Sequence, residues 1–394
     1  MLGALITLAF CVAMTSLGRL VLRRVGLWKT EELNDPALLL ALSGLLALGM
    51  VGTLTLFIGF LPGGFRWGLV VCALLALVGV AGLVGPAGNL RPRLPQEMRG
   101  VGILHFAAIS VAFLFALIGA LAPSDVNDWD TLAYHLAVPK LWIQAGQITY
   151  IPFIHHSNFP FAVDNLYIWG LQWGGESGAK AFMVAYFGLG ILAVFGFARQ
   201  RYGPSAAPWA ALVFATVPVV LWESGTAYID VAHGVYAGVG VLLAALWAEH
   251  KGRQSALLWL AALHLGLAAG SKYTGLQTIL AVGLVLVWLV LTRRDGSRPR
   301  IGPVLVAGAI ALLLASPWYV KNAVVNGNPV YPFFYEVFGG RNWSSEHAAV
   351  YRDEQQTFGV GRHGAGRDWS ALGHAVWGLA YQPGRYVNPG QTQG

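Results

Sequence analysis

Charge is what this chain has least of. Asp, Glu, Lys and Arg make up 11% of its 394 residues, against 56% hydrophobic, and the mean hydropathy is +0.59. A soluble domain carries roughly 25% charged residues, so that class is excluded. Cysteine is almost missing: Cys11 and Cys72 both lie inside apolar runs, which excludes a disulfide framework. No small-residue cleavage site follows the first apolar stretch, and its basic residues come after it rather than before, so it is not read as a cleaved signal peptide. The net charge of +7 is no nucleic-acid signature either. Its cations fall in short clusters between apolar runs, the pattern that orientation in a membrane produces.

What the chain has is apolar length. Runs of about 17 to 25 residues, enough to cross ~30 Å of hydrocarbon, lie near 2–22, 37–61, 67–86, 101–122, 179–198, 206–222, 229–248, 255–271, 275–292 and 301–320. The expected fold is therefore all-α, a polytopic integral membrane protein. Basic residues orient it: fifteen of the 25 Lys and Arg, including Arg19, Arg23, Arg24, Lys29, Arg91, Arg93, Arg99, Arg199, Arg201, Lys251, Arg253, Arg293, Arg294, Arg298 and Arg300, fall in alternate loops. By the positive-inside rule those loops face the cytoplasm. Asp125, Asp128, Asp130, Glu223, Asp230 and Lys272 then share the opposite face.

A carboxylate costs ~2.5–3.5 kcal/mol at the centre of a bilayer. Three of them within six residues, directly after the apolar run ending at Leu121, mark a site. The segment 123–178 behind them is too long for an ordinary connection and rich in aromatics. Residues 131–145 read as an amphipathic helix lying in the interface, and 160–173 as a second, together roofing a pocket at membrane level.

Several motifs stand on this face or beside it. They are Asp130-Thr-Leu-Ala-Tyr-His-Leu-Ala-Val-Pro-Lys140, Asn158-Phe-Pro-Phe161, Asp164-Asn-Leu-Tyr167, Tyr228-Ile-Asp230, Gly270-Ser-Lys-Tyr-Thr-Gly275, Pro317-Trp-Tyr-Val-Lys-Asn322 and Gly327-Asn-Pro-Val-Tyr-Pro-Phe-Phe-Tyr335. In this order they resemble the bacterial GT-C glycosyltransferases, in particular the branch of protein O-mannosyltransferases and aminoarabinose lipid A transferases. The resemblance implies a GT-C-like helical bundle in the bacterial plasma membrane. It implies a sugar moved from a polyprenyl-phosphate carrier to an envelope acceptor (lipid, glycan or protein) on the outer face, by an inverting mechanism. Asp130 matches the acid that acts on the acceptor, Asp128 stands beside it as helper, and Asp230 matches a supporting acid in a later loop.

Elementary chemistry runs parallel. An acceptor hydroxyl or amine must lose a proton, which Asp130 can take. The leaving lipid phosphate needs a cation, for which Lys272 is placed, with Tyr273, Tyr134 and His135 as further substrate or phosphate contacts. Bland readings stand beside these: Asp125 and Asp230 as helix caps, Lys272 snorkelling to the interface, Glu223 as a helix-end residue in the water layer. A divalent cation on Asp128 and Asp130, near His135, His155 and His156, is chemically sensible, but the spacing matches no ligand pattern and the relatives imply transfer without one. His233 and His264 read as satisfied core residues.

Three regions are expected: N-terminal spans at 1–100, the core at 101–335, and a polar tail at 336–394 that looks shortened for the family. A flippase or transporter and a non-catalytic assembly subunit are the rival classes. The acids cluster at helix ends and no internal repeat is visible, which favours the enzyme.

Overall fold

The computed structural model describes residues 1–27, 33–84, 102–292 and 300–357, with isolated positions beyond. Lys29, Arg91, Arg93, Arg99, Arg293, Arg294 and Arg298 of the basic loops, and most of the polar tail, lie outside the described residues. The helices are α1 (Leu2–Arg24), α2 (Pro36–Gly59), α3 (Gly64–Val84), α4 (Gly102–Leu121), α5 (Ala137–Ala145), α6 (Asp164–Tyr202), α7 (Ala206–Thr216), α8 (Pro218–Glu223), α9 (Asp230–Glu249), α10 (Ser255–Ser271), α11 (Thr274–Thr292), α12 (Ile301–Asn326), α13 (Tyr335–Phe338) and α14 (Ser345–Thr357). Among the described residues there is no strand. The protein is all-α, and among the described residues eight helices are long and apolar enough to cross a membrane. The chain divides into two compact units, Met1–Val320 and Lys321–Gly394.

In the first unit α6 is central and packs on α1, α2, α4, α7 and α9. Between spanning helices the apolar driving force is weak, so close contact and internal polar bonds hold the bundle. Gly52 lies against the Ala162 carbonyl and Gly79 against the Ala13 carbonyl, where any side chain would collide with backbone. At one end of the bundle Asp35 caps α2 by accepting from the Ala37 and Leu38 N–H groups (2.9 and 3.0 Å) and also accepts from Arg199 Nε at 2.5 Å. Arg201 and Glu249 pair at the same end, at 2.9 Å.

Two expected elements come out differently. The run at 206–222 is not one helix: Val217 is extended and Pro218 opens α8, because proline suits the first helical position and forbids a helical residue before it. Residues 160–173 do not lie on the surface as an amphipathic helix. From Asp164 they form the first part of α6, buried throughout Asp164–Gly170. At Gly175 (φ 62°, ψ −154°), a conformation open essentially to glycine alone, the chain folds back. Gly170 meets Gly178 and Ala179 as a result, residues that a straight helix would hold about 12 Å away. The aromatics of this first part find internal partners: Trp169 Nε1 donates to Thr55 Oγ1 and Trp173 Nε1 to Thr7 Oγ1, each at 2.8 Å.

In the second unit Asn328 organises the chain after α12, donating to the Phe333 and Gly339 carbonyls (2.8 and 3.1 Å) and accepting from the Val330 N–H at 2.9 Å.

Candidate active site

Asp130 stands where the chain leaving α4 turns back into the bundle. Over Thr131–His135 the backbone takes a wide π-type turn, closed by the Leu136 N–H donating to the Thr131 carbonyl at 3.0 Å. Such turns cluster at functional sites. The turn puts Tyr134 on the same side as Asp130, and Tyr134 Oη donates to Asp130 Oδ2 at 2.9 Å. Burial, then the Asp130 carboxylate, push the Tyr134 phenol far above its ordinary range, so it stays a neutral donor.

Two hydrogen bonds stitch this turn to the loop between α8 and α9. The Asp130 N–H donates to the Tyr228 hydroxyl (3.2 Å) and the Ala227 N–H to Thr131 Oγ1 (3.2 Å). Tyr228 is itself fixed by Tyr167 Oη, which donates to its carbonyl at 3.0 Å. Two residues on, α9 begins at Asp230, which accepts from Lys272 Nζ at 2.5 Å. Lys272 sits in the extended break between α10 and α11. Both partners are about 40% exposed, at 42% and 39%, so the pair faces solvent or a ligand.

Glu223, at the end of α8, belongs to the same group. Burial raises its carboxyl to about 7, Asp230 and Asp130 add to the rise, and Lys272 opposes it. Its charge therefore registers both acids and the lysine at once.

An aromatic wall closes one side. His156 stacks on Tyr134 (4.5 Å between ring centres, 11° between planes), Phe159 meets Tyr273 at 5.6 Å, and Tyr273 meets Tyr319 at 5.9 Å. The Asn158 carbonyl gathers it, accepting from Trp318 Nε1 (3.0 Å) and Tyr273 Oη (3.4 Å). Burial lowers His155, and burial with His155 and His135 nearby lowers His156 to about 3, so neither supplies a cation near neutrality.

The expected residues do not all stand together. Asp130, Tyr134, Asp230, Lys272 and Tyr273 line or adjoin the group just described. His135 is buried, 3% exposed, and its Nδ1 is bonded to Asp164, so it holds the turn and is not presented to a phosphate. Asp128 is also buried and lines a groove of about 630 Å³ with Asp125, Lys180 and Trp222, a lining in which Asp130 has no part. Asp125 caps no helix: its Oδ1 accepts from the Asn127 N–H at 2.8 Å, a local turn. Asp230 makes no capping bond. Among the described residues no three His, Cys, Asp or Glu are placed about one metal position. His233 is satisfied by Ala268, Ser271 and Thr274, and His264 Nδ1 bonds the Leu260 carbonyl at 2.8 Å.

Three residues were not assigned a catalytic role from the sequence. Glu223 reads there as a helix-end acid. Tyr228 and Asp164 are visible only as letters in motifs, since their partners are 98 and 29 residues away.

The bundle gathers acids, a lysine and aromatics at one end of its helices, and the comparison with known families supports a membrane glycosyltransferase of the GT-C type over part of the chain. Residues 174–320, from the fold-back of α6 into α12, match the family model of dolichyl-phosphate-mannose-protein mannosyltransferases. That stretch contains Glu223, Tyr228, Asp230, Lys272 and Tyr273, and leaves Asp130 outside it. No curated protein and no solved structure matches the chain.

Proposed function

We propose that the chain transfers a sugar from a polyprenyl-phosphate carrier to an envelope acceptor at the outer face of a bacterial plasma membrane. The observation that carries this reading is the stitching of Asp130 to the loop that presents Asp230, beside Lys272. It brings a carboxylate and a lysine to one end of the bundle, the two groups this reading needs as proton acceptor and phosphate-binding cation.

In the proposed reaction an acceptor O–H or N–H gives its proton to Asp130 while the acceptor atom bonds to the anomeric carbon. The bond from that carbon to the phosphate oxygen breaks, and its electron pair leaves with the lipid phosphate. Tyr134 occupies Asp130 Oδ2, which leaves Oδ1 for the proton. Lys272 has three N–H donors; one goes to Asp230, and two remain for the phosphate as its charge grows. Attack opposite the departing phosphate inverts the anomeric centre.

Transfer from a synthetic polyprenyl-phosphate sugar, followed in reconstituted vesicles, tests the reading. Asp130→Asn is expected to lower kcat by about 10²–10⁴-fold, the usual worth of a general base, with expression and folding unchanged. Wild-type turnover from Asp130→Asn sinks the assignment. Lys272 supplies the cation in this scheme, so activity is expected to survive EDTA; loss restored by Mg²⁺ would return Asp128 and Asp130 to consideration as metal ligands.

A further inference from the structure

Away from the Asp130 group, a groove of about 710 Å³ opens between α1, α3, α4 and α6. Along α1 its lining runs from Leu8 to Arg23, fifteen residue steps or about 22 Å. The lining is graded. Val12, Leu20, Phe113 and Leu189 make it apolar, Thr15 and Ser16 sit midway along α1, and Arg19 and Arg23 stand at the end remote from Leu8. The two arginines are four residues apart and so share a face of the helix. No Asp or Glu is among the described residues lining the groove. Arg19 Nε is shut off from solvent and has no hydrogen-bond partner among them.

A free anion needs no apolar wall of this length, and an uncharged lipid needs no arginines. The combination fits an amphiphile with an anionic head. We propose that this groove holds one anionic phospholipid of the leaflet opposite the Asp130 end, its phosphate on Arg19 and Arg23 and an acyl chain along the wall between α1 and α4. The guanidinium fork matches phosphate oxygens, and basic pockets between spanning helices suit such head groups. The volume is that of an ordinary ligand site, about 300–1,000 Å³. The inference does not depend on the reaction proposed above.

Native mass spectrometry of the full chain in detergent, titrated with phosphatidylglycerol or phosphatidylcholine of equal chain length, tests it. Phosphatidylglycerol is expected to fill one site about tenfold more tightly than phosphatidylcholine. Arg19→Ala with Arg23→Ala removes that preference. Ser110→Trp, at an exposed lining position on α4, blocks the groove with both arginines in place, weakens phosphatidylglycerol binding, and decides alone if the double variant does not fold. Arg24→Ala, outside the lining, leaves binding as it was. Equal binding of the two lipids, retention of phosphatidylglycerol by the Trp variant, or glycerol phosphate binding as tightly as the lipid overturns the proposal.

Discussion

Asp130 is held from a distance, by the hydroxyl of Tyr228 98 residues further on. Tyr228→Phe keeps the ring, its edge-on contact with Trp222 at 5.2 Å and most of its volume, and leaves the Asp130 N–H without its acceptor. A lost bond of this kind costs about 1 kcal/mol, so a fall of roughly fivefold in kcat is expected with KM little changed, read by steady-state kinetics. Glu223 gives a pH signature. Its carboxyl is raised in the folded protein from 4.5 to about 7, so the folded state binds the proton more tightly than the unfolded chain. The stabilisation is fully present below 4.5 and lost as pH rises through about 7. Above that pH a new negative charge stands beside Asp230 and Lys272, where an anionic donor would bind. The rate profile kcat/KM is expected to fall above about pH 7 in the wild type, and Glu223→Gln to abolish that fall. An unchanged profile in the variant would remove Glu223 from the site. Little of this was visible from residue types: the Tyr-His pair after Asp130 reads as one ligand set, yet Tyr134 turns to Asp130 and His135 to a buried Asp164. The wide turn separates them, and no spacing rule announces it.

Among the elements, apolar length predicts the spans well because the membrane demands it, and fails where packing replaces the membrane as the surroundings. The first part of α6 is the clearest instance. Tyr167, Trp169 and Trp173 fall in the stretch read as an interfacial amphipathic helix, since such rings like one wet side. In the fold their polar atoms are satisfied by Thr55, Thr7 and the Tyr228 carbonyl, more than 60 residues away in sequence. Gly175→Val tests the fold-back directly. A β-branched residue at φ 62° is expected to cost about 1–3 kcal/mol, seen as a lower Tm in detergent, whereas Gly234→Ala, inside α9 with open space around it, does not lower Tm, because Ala is the better helix former.

For the whole molecule, the orientation expected from the basic loops decides which leaflet each proposed site meets. Single cysteines introduced into a variant lacking Cys11 and Cys72 are expected to react with an impermeant maleimide in intact cells at 126 and 153, both exposed. At Tyr202, which follows Arg201, and at Arg253, both exposed and both in the opposite loops, labelling is expected only after permeabilisation. The reverse pattern would place the Asp130 end in the cytoplasm and defeat an envelope acceptor.

The joint between Thr131 and Ala227 has one more implication. In the proposed reaction Asp130, as base, and the Asp230–Lys272 pair share no helix, and two hydrogen bonds of 3.2 Å link the segments that carry them. On that reading, lengthening or shortening the loop from Ser224 to Ile229 is expected to shift Asp230 relative to Asp130 and so to change the size of acceptor that is used.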